Sequence, residues 1–311
     1  MRVVIPGGSG FLGSALANRL IADGHHVVVL SREAEGSSDN SNLRAVRWTP
    51  NGTTGEWAGE IDGADAVVNL AGAGIADKRW TGARKELLLR SRVDSTRSLA
   101  SAMRTVKARP PVFIQASGIG FYGSYDNGGE FDEGSSPGSD FLAGLCVAWE
   151  AEAHPIAALG SRVAIVRNGI VLSKKGGALA KMLPPFKFFV GGRIASGRQS
   201  MSWIHLDDWV GLVMWAINTP AASGVFNATA PNPVSNTELS RAIGRALHRP
   251  SWTPVPAIVL RAMFGEMASD ILIRGQRVMP RRSLELGYHF RHDQIDEAMS
   301  SAVTSTGAAG L

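Results

Sequence analysis

The chain has 311 residues, of which 19% are charged and 44% hydrophobic, with a mean hydropathy of +0.01. These values describe a soluble globular protein and exclude a disordered, collagenous or coiled-coil chain. Thirty-two Lys and Arg against 27 Asp and Glu leave a net charge of +5 that is spread along the chain rather than gathered in a tail.

Arg2–Ile5 is a short apolar run that reads as a buried strand, and Gly7–Gly13 is a glycine-rich turn. Ser14–Asp23 carries Leu16, Leu20 and Ile21 at helical spacing, with Gly24 as its terminator. His26–Leu30, Asp65–Leu70, Val112–Ala116 and Arg162–Val166 read as further strands, with helical patterns between them at Ala83–Met103 and Asp140–Leu159. Strands alternating with helices mean an α/β fold, a doubly wound parallel sheet covered on both faces. The texture changes near Asn168: Gly176-Gly177, Pro184-Pro185 and Gly191-Gly192 interrupt short apolar stretches. Ser202–Leu206 and Val225–Asn227 read as strands, and Ser235-Asn236-Thr237-Glu238 as a capping box opening a helix. The expected organisation is a Rossmann domain over 1–170, its sheet completed by about 202–230. A smaller C-terminal α/β substrate lobe takes 171–201 and 231–300.

No apolar run approaches the ~18 residues that cross a bilayer. Trp209–Ile217 is about half that, and the first residues turn at once into glycines rather than into a signal-peptide centre. Neither a membrane nor nucleic acid is expected as a partner, since no aromatic stripe accompanies the basic residues. Cys146 is the only cysteine, which excludes an internal disulfide and fits a reducing, cytoplasmic compartment.

The turn Gly7-Gly8-Ser9-Gly10-Phe11-Leu12-Gly13 sits between a strand and a helix. That context suits a pyrophosphate: the turn lets it approach the backbone, and the helix presents free N–H groups and its positive end. The second strand ends Val29-Leu30-Ser31-Arg32, with Ser31 where an NAD site carries an acid for the ribose 2′-hydroxyl. A guanidinium at Arg32 would pair with a 2′-phosphate that a carboxylate would repel. The reading is NADP(H), with a solvated loop arginine as the plain alternative.

Asp65-Ala66-Val67-Val68-Asn69-Leu70-Ala71-Gly72 and Trp203-Ile204-His205-Leu206-Asp207-Asp208 resemble segments of extended short-chain dehydrogenases/reductases. Ser91-Arg92, Asp140-Phe141-Leu142, Trp149-Glu150, Gly197-x-Gln199-x-Met201-Ser202-Trp203-Ile204-His205, Asn227–Pro233 and Gly275-Gln276-Arg277-Val278-x-Pro280 narrow the resemblance. They are similar to the atypical "epimerase family protein" group, over nearly the whole chain. The resemblance implies an NADP(H)-binding Rossmann domain contacted by Gly7, Ser9, Gly10, Phe11, Leu12, Gly13, Ser31, Arg32, Leu70, Ala71, Gly72, Arg92, Ser117 and Val171. For Arg92 the plain alternative is a helix-surface charge. For Leu70, Ala71 and Val171 it is core packing, which is compatible with cofactor contact.

Ordinary members use a Ser and a Tyr-x-x-x-Lys pair, in which the Lys lowers the phenol pKa for acid–base work. Aligned on Glu150, Leu142 stands at the Tyr position and Cys146 at the Lys position, and neither can replace the pair. Ser117 and Tyr122 are the weak catalytic candidates that remain. His205 is expected to fix a strand–helix turn, Cys146 and Trp149 to pack, and Glu150 to pair with Arg167. No metal site is expected. Two functions fit: an NADP(H)-dependent oxidoreductase or epimerase-like enzyme with an unknown small substrate, or a non-catalytic NADP(H)-binding sensor. Nothing in the sequence sets the oligomeric state.

Overall fold

Val3, Val4 and Ile5 are all apolar, as are Val27 through Leu30, the pattern of strands buried on both faces. In the computed structural model, which describes residues 1–33, 40–125 and 129–304, these runs lie in a seven-stranded sheet. Its strands are β1 (Arg2–Pro6), β2 (His26–Ser31), β3 (Leu43–Arg47), β4 (Ala66–Asn69), β5 (Val112–Gly118), β6 (Arg162–Asn168) and β7 (Gly224–Ala228). The order is β3-β2-β1-β4-β5-β6-β7, with every pair parallel. The protein is therefore an α/β Rossmann-like fold. The order reverses between β1 and β4, where open parallel sheets place their ligands beyond the strand C-termini.

Side-chain alternation divides the core into two layers. Val3, Ile5, Val27, Val29, Ala66, Val68 and Ile114 face α1 (Phe11–Ala22) and a later helix, Leu206–Asn218. Val4, Val28, Leu30, Val67 and Phe113 face the other way, toward α2 (Gly82–Thr105). The expected helix Asp140–Leu159 is two: α3 (Phe141–Ala151), capped by Asp140, and a short turn of helix at His154–Ala158 with Pro155 in its first turn.

Of the two later strands, Val225–Asn227 lies in β7 at the sheet edge. Trp203–His205 stays outside the central sheet and pairs in parallel with Ile170–Leu172. Past this point α4 (Gly177–Lys187), α5 (Leu206–Asn218), α6 (Asn236–Leu247), α7 (Ala257–Phe264) and α8 (Ile295–Thr304) follow. Leu179, Leu183, Phe186, Leu239, Ile243 and Met299 give α4, α6 and α8 a core of their own. The Ser235 capping box opens α6 as expected.

Candidate functional site

At the end of β1 the chain turns on Gly7, whose φ of +77° is a left-handed conformation open to glycine at no steric cost. A Cβ there would also lie 2.8 Å from the Leu70 carbonyl carbon and 2.9 Å from the Ala71 nitrogen. The turn is thus pressed against the end of β4. Gly13 is equally constrained, since its Cβ would fall 2.5 Å from the Gly8 Cα, so α1 rests directly on the turn. Gly10 differs: its φ is −77°, and a Cβ would meet the Gly7 carbonyl oxygen at 3.3 Å and otherwise open space. As the N-cap of α1 it has no side chain to satisfy the first-turn amides of Phe11, Leu12 and Gly13, which stay open to an anion. The Phe11 ring packs where Cβ atoms on Gly176 and Gly177 would stand, tying the turn to the segment after the Ile170–Leu172 strand. Val171 lies in that strand, buried in the same core layer as α1.

At the end of β2 the Ser9 hydroxyl donates to the Ser31 hydroxyl at 3.3 Å, and the Glu33 amide donates to the same oxygen at 3.3 Å. Arg32 is exposed and lines a cleft of about 500 Å³ with Pro50, Ala83, Glu86, Arg90 and Ser91 among its walls. Arg90 was not legible as part of this cleft. It lies on α2, within 3.6 Å of the Glu86 carboxylate and 3.7 Å of the Asp94 carboxylate.

Arg92 is not a surface charge. It is 8% exposed, packed against Gly72 just beyond β4, with its guanidinium 5.0 Å from the centre of the Trp149 ring. Nη1 donates to the Leu88 carbonyl at 3.0 Å, while Nε is buried with no partner among the described residues. Burial pulls the group down to about 10. A buried guanidinium without a carboxylate is costly unless something anionic or polar meets it.

The hydroxyls of Ser117 and Tyr122 enter one buried network. The Ser117 hydroxyl donates to Glu150 Oε1 at 2.6 Å, and Glu150 takes Arg167 in a two-pronged pair, Nε to Oε1 and Nη2 to Oε2, each 2.8 Å. Arg167 Nη1 donates to the Tyr122 hydroxyl at 2.9 Å, which donates to Asn227 Oδ1 at 2.8 Å. Desolvation pushes the Tyr122 phenol up to about 12 despite the nearby Arg167. The expected Glu150–Arg167 pair is present; its extension to β7 joins Tyr122 to Asn227, a residue the sequence marked only as part of a family motif. Leu142 and Cys146 lie in an apolar cluster with Leu145, Trp149 and Met267, and burial pushes the Cys146 thiol up to about 11.

His205 accepts the Asp207 amide on Nδ1 at 3.1 Å and so caps α5. The His292 ring lies beside it, tilted by 47° with ring centres 4.0 Å apart, and with Asp207 these groups form the one potential metal-ligand trio found among the described residues. A neutral imidazole has a single lone pair, and that of His205 is already used by the cap.

The sequence profile described as the NAD dependent epimerase/dehydratase family matches residues 3–229. The chain belongs to that family. A second profile, "Domain of unknown function (DUF1731)", matches residues 255–302. An Arabidopsis thaliana relative, "Epimerase family protein SDR39U1 homolog, chloroplastic", is 40% identical over 96% of this chain and 86% of its own length. Bacillus subtilis "Epimerase family protein YfhF" is 37% identical over 97% and 98%. The crystal structure of human epimerase family protein SDR39U1 (isoform 2) with NADPH superposes with a TM-score of 0.88 at 34% identity, covering 97% of this chain and 99% of that one.

The turn at Gly7–Gly13 meets the Leu70–Ala71 backbone, and Gly72 meets Arg92, beside the β1/β4 switch point. Arg32 stands at the β2 end of the same sheet edge, and Ser117 one strand further, at the end of β5.

Proposed function

We propose that this protein binds NADP(H) and works as an oxidoreductase or epimerase-like enzyme on a small substrate, without the Tyr/Lys pair of ordinary family members. The observation that carries the reading is a pair of cations beyond the ends of β2 and β4, Arg32 and Arg92. Arg32 stands at the β2 end where an acid would favour NAD, and Arg92 is buried with its Nε unpartnered. The NADPH in the 34% identical human structure supports the same cofactor. The open amides at the start of α1 face the pyrophosphate, Ser31 and Arg32 the 2′-phosphate, and Leu70, Ala71, Gly72, Arg92 and Val171 the rest of the dinucleotide. Bound NADPH supplies a hydride. The protein's own part is to bind and orient, because the Ser117 and Tyr122 hydroxyls both donate within the buried network. The lone, buried Cys146 fits the cytoplasm as the working compartment.

Calorimetric titration of NADPH and NADH into the wild type and Arg32→Ala tests the reading. A charge-assisted contact worth about 1.5–3 kcal/mol makes NADPH ten- to a hundred-fold tighter than NADH. Arg32→Ala removes that preference. Equal wild-type affinities, or a preference untouched by the substitution, would overturn the assignment.

A second reading, a cofactor-binding sensor without turnover, is favoured by the apolar surroundings of Leu142 and Cys146, where Met267 of the C-terminal region packs beside them. Hydride transfer to any member of a carbonyl and nucleotide-sugar panel excludes the sensor.

A further inference from the structure

Two stretches of the chain contain no Asp or Glu: 153–206 and 239–265. The fold lays parts of them side by side. Thr253 donates its amide to the Gly191 carbonyl at 3.2 Å, Val255 to Arg193 at 2.9 Å, and the Ser240 hydroxyl to Gly192 at 3.2 Å. At this seam the surface is aromatic. Phe188 is 77% exposed and Trp252 78%, with Phe189 and Val190 also exposed. Phe189, with a φ of +63°, is the left-handed residue that closes α4: its amide donates to the Phe186 carbonyl and that of Val190 to the Pro185 carbonyl, each at 2.9 Å. Arg249 lies 4.7 Å from the centre of the Phe189 ring, joining the aromatic tip to a cleft of about 450 Å³ lined by Arg241, Arg245, His248 and Arg249. Among the described residues, the only ion pair in this basic group is Arg245–Asp296, and Lys187 adds an exposed cation next to Phe188.

We propose that this face docks peripherally on an anionic phospholipid surface. The charge complementarity and the aromatic tip both point to it. Phe and Trp side chains partition into the headgroup region, and flanking Lys and Arg are drawn to anionic lipid. A second copy of the chain fits poorly: a two-fold interface sets the same patch against itself and would oppose its own cations. Contact is confined to the surface, since no helix among the described residues is long and apolar enough to cross a membrane. This proposal departs from the expectation of no membrane partner, which was drawn from the lack of a spanning segment.

Co-sedimentation of the full chain with vesicles of phosphatidylcholine alone, and of equal parts phosphatidylcholine and phosphatidylglycerol, tests the proposal. Binding is expected to the mixed vesicles and not the neutral ones, and to weaken as salt is raised. Each basic residue at an anionic surface raises partitioning about fivefold. Lys187→Glu with Arg249→Glu should therefore lower it at least about twenty-fold. Phe188→Ser, Phe189→Ser and Trp252→Ser together should abolish it. Thermal melts identify variants that retain the wild-type fold, and the charge pair and the aromatic set test the face independently. The proposal is overturned if the wild type ignores the mixed vesicles or binds neutral ones equally. It is also overturned if either folded variant binds as the wild type does, or if sedimentation equilibrium shows a dimer that the aromatic variant dissolves.

Discussion

Gly10→Val separates the phosphate-binding role of the glycine turn from its folding role. At Gly10 the φ of −77° suits any residue, and the nearest atom to an added Cβ is the Gly7 carbonyl oxygen at 3.3 Å. Relief needs a few tenths of an ångström, and a poorer N-cap costs about 1 kcal/mol at most. The added branches do, however, fill the space above the first-turn amides of α1, which is where a pyrophosphate must come. We expect NADPH affinity to fall at least a hundred-fold, about 2.7 kcal/mol. The counterpart is Gly13→Val, whose Cβ would sit 2.5 Å from the Gly8 Cα and 2.6 Å from the Gly7 oxygen, so backbone must move. That variant should fail to fold rather than merely fail to bind. The assay is a fluorescence titration of NADPH beside thermal melts with and without cofactor. At a cofactor concentration a hundred times the wild-type Kd the wild type gains about 2.7 kcal/mol, and folded Gly10→Val should gain no more than about 0.4 kcal/mol. If Gly10→Val folds and binds NADPH within twofold of wild type, the amides of α1 are not the phosphate site.

Glu150→Ala strands the buried Arg167 guanidinium and should cost about 3–5 kcal/mol in urea unfolding. Glu150→Ala with Arg167→Met should recover part of this, and strictly additive losses would contradict the pairing. Burial, aided by the His292 charge and opposed by Asp207, holds His205 down to about 4 from an ordinary 6.5. The unfolded chain therefore takes up a proton near pH 6.5 that the folded one refuses. Stability present above that pH is lost toward pH 4, by up to about 3 kcal/mol. A flat unfolding free energy between pH 7 and 4 in wild type minus His205→Gln would remove the effect. Cys146→Ala should leave NADPH affinity within about threefold, whereas Tyr122→Phe, which loses hydrogen bonds to Arg167 and Asn227, should lower stability by about 1–3 kcal/mol; the reverse ranking in melts and titrations would contradict both placements.

What the sequence disclosed follows physical range. The glycine turn, the strands β1, β2, β4, β5 and β6 and the Ser235 capping box are local patterns, and local patterns are readable. β3 escaped because Leu43–Arg47 is a short edge strand with basic residues at two of five positions, where a buried strand would be uniformly apolar. Trp203–His205 was legible as a strand but not its partner, because so short a strand fits either sheet. Arg92 showed the limit of reading a charge by type. Four residues after Leu88 and seven before Leu99, it shares their buried face of α2, and Gly72 and Trp149, 20 residues before and 57 after, cover it. The His205–His292 contact and the Tyr122–Asn227 bond likewise join residues 87 and 105 apart, which no window on the sequence brings together.

The burial of Arg92 limits what position 146 can carry. Cys146, a neutral thiol, and Trp149 lie on the same helix, α3, and the Arg92 guanidinium sits over the Trp149 ring. A lysine at 146 would add a second cation beside one that already lacks a carboxylate partner, in surroundings made by Leu142, Leu145 and Met267. Two like charges in a medium of low polarity repel strongly, and each also bears its own desolvation cost. Beside the buried Arg92, α3 is accordingly apolar at Leu142, Leu145, Cys146 and Trp149, and Cys146→Lys should lower stability in urea unfolding rather than add a working cation.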